Sequence, residues 1–398
     1  MKNKEITIPK GWRQFSFEGV ADLCKGLTYK SSNYSNEQDG LVFLTLKSIL
    51  RGGGFNGNGI KYYSGKYDKS AIVRGGDLII ANTDITRDAE VVGAPVLVPS
   101  LSEKPILISM DLSVINIDET KIDKLFFYYL LQGTKARKFM KNNASGSTVL
   151  HLKTSSIPKF KFIAPSLSEQ NKIAEILSCV DEDIEKADEI IRNTQKLKKG
   201  LMQDLLTKGI GHTKFKKTEL GEIPEEWEVK KLIDVATLQR GFDLPAKDRT
   251  KGKYPLASSN GITDSHDKYK VKGPGVFTGR SGTIGNVFYV QDDFWPLNTT
   301  LYIKDFHNND RKFIYYLLQQ IQIKDFYSGT GVPTLNRNIV HEKKISIPKS
   351  LEEQKRIAEI LSAVDDKINI YKQIKLKLTE LKKGLMQDLL SGEIRVKI

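Results

Sequence analysis

Residues 167–206 read LSEQNKIAEILSCVDEDIEKADEIIRNTQKLKKGLMQDLL, and residues 351–390 read LEEQKRIAEILSAVDDKINIYKQIKLKLTELKKGLMQDLL. Set side by side at an offset of 184 with no gap, they agree at 23 of 40 positions, and their last ten residues are identical. Chance does not produce such agreement, so the chain carries an internal duplication. Weaker echoes extend it. Ile8-Pro9-x-x-Trp12 returns as Ile223-Pro224-x-x-Trp227, and Val20-Ala21 returns as Val235-Ala236. FFYYLLQ at 126–132 returns as FIYYLLQ at 313–319, and Ser145-Gly146-Ser147 as Ser328-Gly329-Thr330. The chain is therefore two copies of one unit, a variable globular head followed by a well-matched segment. The first head is longer by 28 positions between its Trp motif and its Tyr-Tyr-Leu-Leu segment. One frame has kept its ends and changed its middle.

The matched segments read as helices. In the first, apolar or small residues fall at Ile173, Leu177, Val180, Ile184, Ala187, Ile191, Thr194, Leu197, Leu201 and Leu205. The steps are mostly four and three, the 3.5-residue period of a coiled coil. The second gives Ile357, Leu361, Val364, Ile368, Tyr371, Leu378, Leu381 and Leu385, with Lys375 as a weak position. A period kept this long exceeds what packing on a globule requires. It predicts that the two helices pair with each other, antiparallel, as a strut of about 60 Å at 1.5 Å per residue. Gly200 and Gly384 stand at matching places. Each implies a kink, a close packing contact or a helix end, and the spacing does not choose among them.

Length and composition bound the rest. A chain of 398 residues with 39% hydrophobic and 28% charged residues holds two or three globular domains. No apolar run reaches the length of a membrane span, and the Met-Lys-Asn-Lys-Glu start does not read as a signal peptide. Two distant cysteines, Cys24 and Cys179, exclude a disulfide scaffold and suit a reducing cytosol. The net charge of +14 asks for a polyanionic partner, nucleic acid or a membrane surface. Residues 167–209 carry a net of −2 and residues 351–391 a net of +1, so the positive surplus lies in the heads. That favours heads that grip a polyanion.

The heads read as α+β. Strands are expected at 41–46, 77–81, 91–98 and 112–117 in the first head, and at 275–278, 286–290 and 300–303 in the second. Helices are expected at 121–141 and 309–327. The expected division is 1–166 for the first head, 167–210 for the central helix, 211–350 for the second head and 351–398 for the C-terminal helix. Three loops suit DNA. Gly279-Arg280-Ser281-Gly282-Thr283-Ile284-Gly285 follows an apolar strand. Its glycines let the backbone approach a phosphate, Ser281 and Thr283 offer hydroxyls, and Arg280 has the fork to read guanine. The corresponding stretch of the first head, Ala81 to Arg87, offers Asn82, Thr83 and Arg87 without the glycines. The third element is the repeated Ser-Gly-Ser/Thr, whose Ser145, Ser147, Ser328 and Thr330 suit phosphate contact. Each loop taken alone also reads as an ordinary tight turn.

Catalytic signatures are missing. The five histidines show no metal-ligand spacing. Gly52-Gly53-Gly54-Phe55-Asn56-Gly57 fits G-x-G-x-x-G but precedes no helix pattern, and there is no P-loop and no Asn/Asp-Pro-Pro-Tyr/Phe motif. Asp77, Asp84 and Asp88 lack the partners of a nuclease site. The chain reads as non-catalytic.

Two variable α+β domains, each followed by L-x-E-Q-x-x-I-A-E-I-L-S-x-V-D and LKKGLMQDLL, resemble the specificity subunit of type I restriction-modification systems over nearly the whole chain. The Ile-Pro-x-x-Trp and Ser-Gly-x-x-Val motifs share the likeness. The resemblance implies two tandem target recognition domains that read a bipartite DNA site. It implies that the helices, through residues such as Leu177, Ile184, Leu201, Leu361, Ile368 and Leu385, set the gap between half-sites and dock two modification subunits. It implies no cofactor in this chain. Methylation would come from partners using S-adenosylmethionine, and cleavage from an ATP- and Mg2+-dependent restriction subunit, in the cytoplasm. The competing readings are a stand-alone nuclease or methyltransferase, a coiled-coil scaffold that binds no DNA, and the specificity subunit of another restriction class.

Overall fold

The computed structural model describes residues 8–321, 323–328 and 334–398. The described helices are α1 (Lys124–Gln132), α2 (Thr134–Asn142), α3 (Leu167–Lys208), α4 (Arg311–Gln320), α5 (Arg337–His341) and α6 (Leu351–Ser391). The helix expected at 121–141 is two helices. Gly133, with extended ψ, ends α1 and begins α2. The one expected at 309–327 stops at Gln320, and a 3-10 turn, Ile323–Phe326, follows. Of the strand expected at 91–98, the ladder keeps Pro95–Leu97.

The chain divides into two compact units, residues 1–186 with 375–398 and residues 187–374. Both long helices are therefore shared. The first half of α3 and the second half of α6 belong to the first unit, and the remaining halves to the second.

In the first unit, four antiparallel strands lie in the order Ala21–Lys25, Leu112–Ile117, Leu78–Ala81, Pro95–Leu97. In the second unit the same order recurs with Thr237–Arg240, Thr300–Asp305, Gly275–Gly279 and Val287–Val290. Each head adds a second sheet built around a parallel pair. In the first it has five strands, among them Leu41–Leu44 beside Ile106–Ile108. In the second it has three, with Tyr254–Ser258 beside Trp295–Pro296. The larger sheet takes up the extra length of the first head.

Each head is closed by the long helices. Phe17, Phe126, Phe127, Phe160 and Phe162 form one core with Ile173 and Leu177 of α3 and Leu389 of α6. Trp227, Phe313, Ile314 and Leu317 form the other with Ile357 and Leu361 of α6 and Leu206 of α3. The Glu-Gln of the repeated motif has a structural use. Gln170 accepts from Asp123 N (2.9 Å) and donates to Pro165 O (2.9 Å). Gln354 does the same with Asp310 N (2.9 Å) and Pro348 O (3.0 Å). Both amides are almost wholly buried. Each satisfies a backbone donor at the start of a head helix that would otherwise be orphaned.

The helices pair antiparallel within each unit. In the first, Glu169 binds Arg395 (2.5 Å) and Asp181 binds Lys382 (2.7 Å), so numbers rise on one side as they fall on the other. In the second, Lys198 binds Asp365 (2.7 Å), and Glu353 accepts from Ile210 N (3.2 Å). Asp181 and Asp365 are related by the offset of 184, as are Lys198 and Lys382. Each carboxylate also accepts from a buried tyrosine of its head, Tyr129 (2.9 Å) or Tyr316 (2.8 Å). Each ammonium lies over that same ring, at 5.3 and 5.4 Å from the centroid. The duplication thus repeats a Tyr–Asp–Lys group that joins a head helix, its own long helix and the other copy's long helix.

Two expected seam positions are displaced. Leu197 and Leu381 are about half exposed. The next residues, Lys198 and Lys382, turn inward, with side chains 18% and 17% exposed. Strict alternation of four and three from Ile191 runs through Thr194 to Lys198 and Leu201. The helix phase is kept, and the lysine stem lines the seam while its ammonium meets the carboxylate. Gly200 and Gly384 lie within the helices with open space where a Cβ would stand, so neither is a close packing contact or a helix end.

Candidate nucleic-acid interface

In the second head the strand Gly275–Gly279 runs into the arginine loop. A Cβ on Gly279 would fall 1.9 Å from Thr283 O, and Gly282 and Gly285 have φ of +82° and +97°. The loop therefore needs its glycines. Arg280 is held by its backbone. Its N donates to Thr299 O (2.7 Å), and its O accepts from Leu335 N (2.8 Å). Its side chain is half-buried, and Nη1 donates to Asn298 O (3.3 Å). Asp243 stands beside it and accepts from Arg240 Nη2 (2.9 Å) and from Asn298 Nδ2. The hydrogen bonds from Arg240 and Asn298, with the Arg280 charge nearby, hold the Asp243 carboxyl below the usual carboxylate range. Ser281 bridges to Thr334, which pairs with Ser328. Thr283 is exposed. The side chain of Ser328 and the whole of Thr330 lie outside the described residues.

The first head builds the same edge from other residues. Asn82 N donates to Asp111 O (2.6 Å), and Asn82 O accepts from Leu152 N (2.8 Å). Asn82 Nδ2 donates to Met110 O (3.2 Å). These three bonds match those of Arg280, so the residue in the place of Arg280 is Asn82, and Arg87 lies five positions further on. Asn82 also accepts from Ser113 Oγ (3.0 Å) and is 5% exposed. Thr83 is likewise buried, donating to Asp111 Oδ1 (3.1 Å). Both expected contacts are spent inside the head, Asn82 on Met110 O and Ser113, and Thr83 on Asp111. Arg87 is exposed.

Ser145 and Ser147 are exposed on a hairpin turn in which Gly146 has φ of +136°. That hairpin returns through Leu150–Leu152, which pairs with Thr83–Asp84. The fold therefore brings the Ser-Gly-Ser element to the strand-end loop, as it brings Ser328 to Ser281 through Thr334. Strand pairing across some 60 residues of sequence gave no local signal for this. The residues missed on this edge are Arg240, Asp243 and Asn298, and only the sheet order brings them to Arg280.

The acidic residues have structural duties. Burial alone would raise the Asp84 carboxyl, but hydrogen bonds from Thr86, Val91 and Val92 outweigh it and hold it below its ordinary value. Asp77 accepts from Arg74 N (2.7 Å). Among the described residues no group of three or more His, Cys, Asp or Glu is placed to hold a metal ion. No described helix is long and apolar enough to cross a membrane.

The helix residues expected to dock partners mostly face inward. Leu177 and Leu361 are fully buried in the cores of the heads, and Ile368 is nearly so. Leu201 and Leu385 pack partly buried against those cores, and Ile184 is half-buried. The heptad period marks the seam of the chain itself, so these positions are taken before a partner arrives.

Two similar heads with unlike side chains on one shared edge, each closed by a common helix pair, define a two-headed recognition protein. Residues 9–192 and 224–380 match the family model described as type I restriction modification DNA specificity domain. The type I restriction enzyme MjaVIII specificity subunit of Methanocaldococcus jannaschii is 31% identical over 314 residues, covering 69% of this chain and 71% of its own. A putative type I restriction enzyme MjaX specificity subunit of the same organism is 31% identical over 334 residues, with 73% of each chain covered. The type I restriction-modification S subunit of M. genitalium shares the fold, with a TM-score of 0.66 at 18% identity over 98% of each chain. The chain belongs to the type I restriction-modification specificity subunits, a non-catalytic component of those systems.

Proposed function

We propose that the chain reads a bipartite duplex target, one half-site per head, and that its helices carry modification subunits, two in number. The observation that carries this reading is the shared edge. The same backbone hydrogen bonds hold Arg280 in one head and Asn82 in the other. A fixed scaffold with interchangeable side chains is what two different half-sites require. The positive surplus outside the helices supports contact with phosphates. The partners supply methyl transfer from S-adenosylmethionine and, through a restriction subunit, cleavage driven by ATP with Mg2+. The assembly works in the cytoplasm, where the host DNA is.

Docking falls to helix residues that the chain leaves uncovered. Leu197 and Leu381 are half exposed, and each lies three residues before a glycine with open space above it. Small residues of this kind let a partner helix come close.

The test is binding to duplex DNA by the chain with its modification partner, across a salt series, followed by sequencing of modified sites in cells that make both. A steep linear fall of log affinity with log salt, together with a two-part modified site, is expected. Binding that ignores salt, or modification of a continuous site, would sink the proposal. One helical turn inserted within 177–197 is expected to lengthen the spacer and leave both half-sites as they were. A changed half-site would show that the helices do not set the gap.

A further inference from the structure

The first head carries a cleft of about 900 Å³ on the edge where Arg280 stands in the second. Its lining includes Tyr29, Tyr34, Leu50, Ile85 and Asp111. The equivalence of the two places rests on three matched features. Asn82 makes the backbone bonds of Arg280. Gly26 and Gly241 press in the same way on the residue directly after a parallel strand of the second sheet, where an added Cβ would meet Ser109 O at 2.4 Å or Leu297 O at 2.2 Å. Leu27 bridges to Ser109 as Phe242 bridges to Leu297. By this register Met110 takes the place of Asn298.

The chemistry of the two edges is opposite. The second head presents Arg240, Asp243, Arg280 and Asn298. The first presents large apolar side chains to solvent, Ile85 at 67% exposure, Leu50 at 47%, and Tyr34 and Met110 at 37% each. Tyr34 is fixed by a hydrogen bond to the Tyr29 hydroxyl (2.9 Å) and by ring contact with Tyr29. Lys47, Arg51 and Lys61 line the same cleft, the arginine paired with Glu90 (3.0 Å). Apolar side chains and three cations lining one cleft, with Asp111 as its carboxylate, fit a surface that is anionic outside and carries apolar groups in a groove. Duplex DNA meets that description where thymine methyls line the major groove.

We propose that the first head reads its half-site by contact of Ile85, Leu50 and Tyr34 with thymine 5-methyl groups, with Lys47 and Lys61 on the flanking phosphates. The two heads then differ in readout class, methyl contact in the first and arginine fork in the second. This rests on the reading of the chain as a bipartite DNA reader.

The experiment uses the full chain with its modification partner and the modified site mapped in cells. The half-site of the first head is the one left intact by Arg280→Ala. Each thymine in it is replaced by deoxyuridine, which removes the methyl alone. Binding is expected to weaken about 4-fold at one position or more, the scale of one buried methyl group. In Ile85→Ala or Leu50→Ala the thymine and deoxyuridine duplexes are expected to bind equally at the matching position. Both side chains are exposed, so neither change threatens the fold. Equal binding of thymine and deoxyuridine by the unaltered chain at every position overturns the inference, as does a first half-site with no A·T pair. In either case the bipartite reading stands. If no duplex is preferred over any other, the bipartite reading fails and takes this inference with it.

Discussion

Asp365→Ala is expected to destabilise the protein by about 2–4 kcal/mol, the range for stranding a half-buried charge and a buried hydroxyl together. The carboxylate accepts from Tyr316 Oη at 2.8 Å and pairs with Lys198 Nζ at 2.7 Å. The lysine side chain is 18% exposed and that of Asp365 27%, so water cannot fully replace what is removed. Tyr316 itself is 1% exposed, and burial first, then the carboxylate, pushes its phenol well above its usual value. The ring therefore stays a neutral donor at every working pH. For a unit of this size the loss corresponds to a fall of roughly 5–15 °C in the thermal midpoint. Tyr316→Phe removes the hydroxyl's contacts with Asp365 and Ser362 but keeps the ion pair, so its fall should be smaller, about 1–2 kcal/mol. Asp181→Ala should behave as Asp365→Ala does, because Tyr129 and Lys382 surround it in the same way. Scanning calorimetry of the three variants checks this. A midpoint for Asp365→Ala within 2 °C of the parent would show that the pair carries no net stability.

Arg280→Ala is expected to relax recognition at the second half-site alone. A bidentate arginine–guanine contact discriminates by about 1–3 kcal/mol, or roughly 5- to 150-fold in binding. The arginine is set up for this by its surroundings. Its backbone is pinned on both sides, and one guanidinium nitrogen rests on Asn298 O, while the Asp243 carboxylate is shared by Arg240 and Asn298. Arg280→Lys should also lose discrimination, since an ammonium keeps the charge but not the fork. Titrations with duplexes altered in one half-site at a time provide the measurement. An equal loss at both half-sites would make Arg280 a general phosphate contact. Arg87, exposed and off the pinned edge, should give the contrasting result, a uniform weakening with a shallower salt slope.

Much of the frame was legible from the repeat. The identical LKKGLMQDLL stretches and the 3.5-residue period marked two helices that pair antiparallel, and the structure has them so. The Glu-Gln stood out in the sequence only as part of the repeated motif, and Gln170 and Gln354 accept from the backbone N–H at the start of a head helix. The break at Gly133 escaped because an apolar period runs through it, and a glycine inside such a pattern costs only about 1 kcal/mol. Lys198 and Lys382 escaped because a seam position is expected to be apolar, whereas here a half-buried aspartate and a buried tyrosine ring receive the ammonium. The stretch Ala81 to Arg87 was set against the arginine loop as a whole, with Arg87 as its arginine. Hydrogen-bond position shows that Asn82, not the arginine of that stretch, stands where Arg280 does.

By itself the sequence determined the duplication, the pairing of the long helices, the family and the placement of positive charge outside those helices. Repeats and periods are properties of order along the chain, and they survive without coordinates. Tertiary structure decided which side chains leave the surface and which stay on it. Asn82, Thr83, Leu177 and Leu361 went inward, while Leu197, Leu381 and Ile85 stayed out. That choice depends on neighbours from distant strands and from the other copy's helix, and a residue's own type does not reveal what will pack over it.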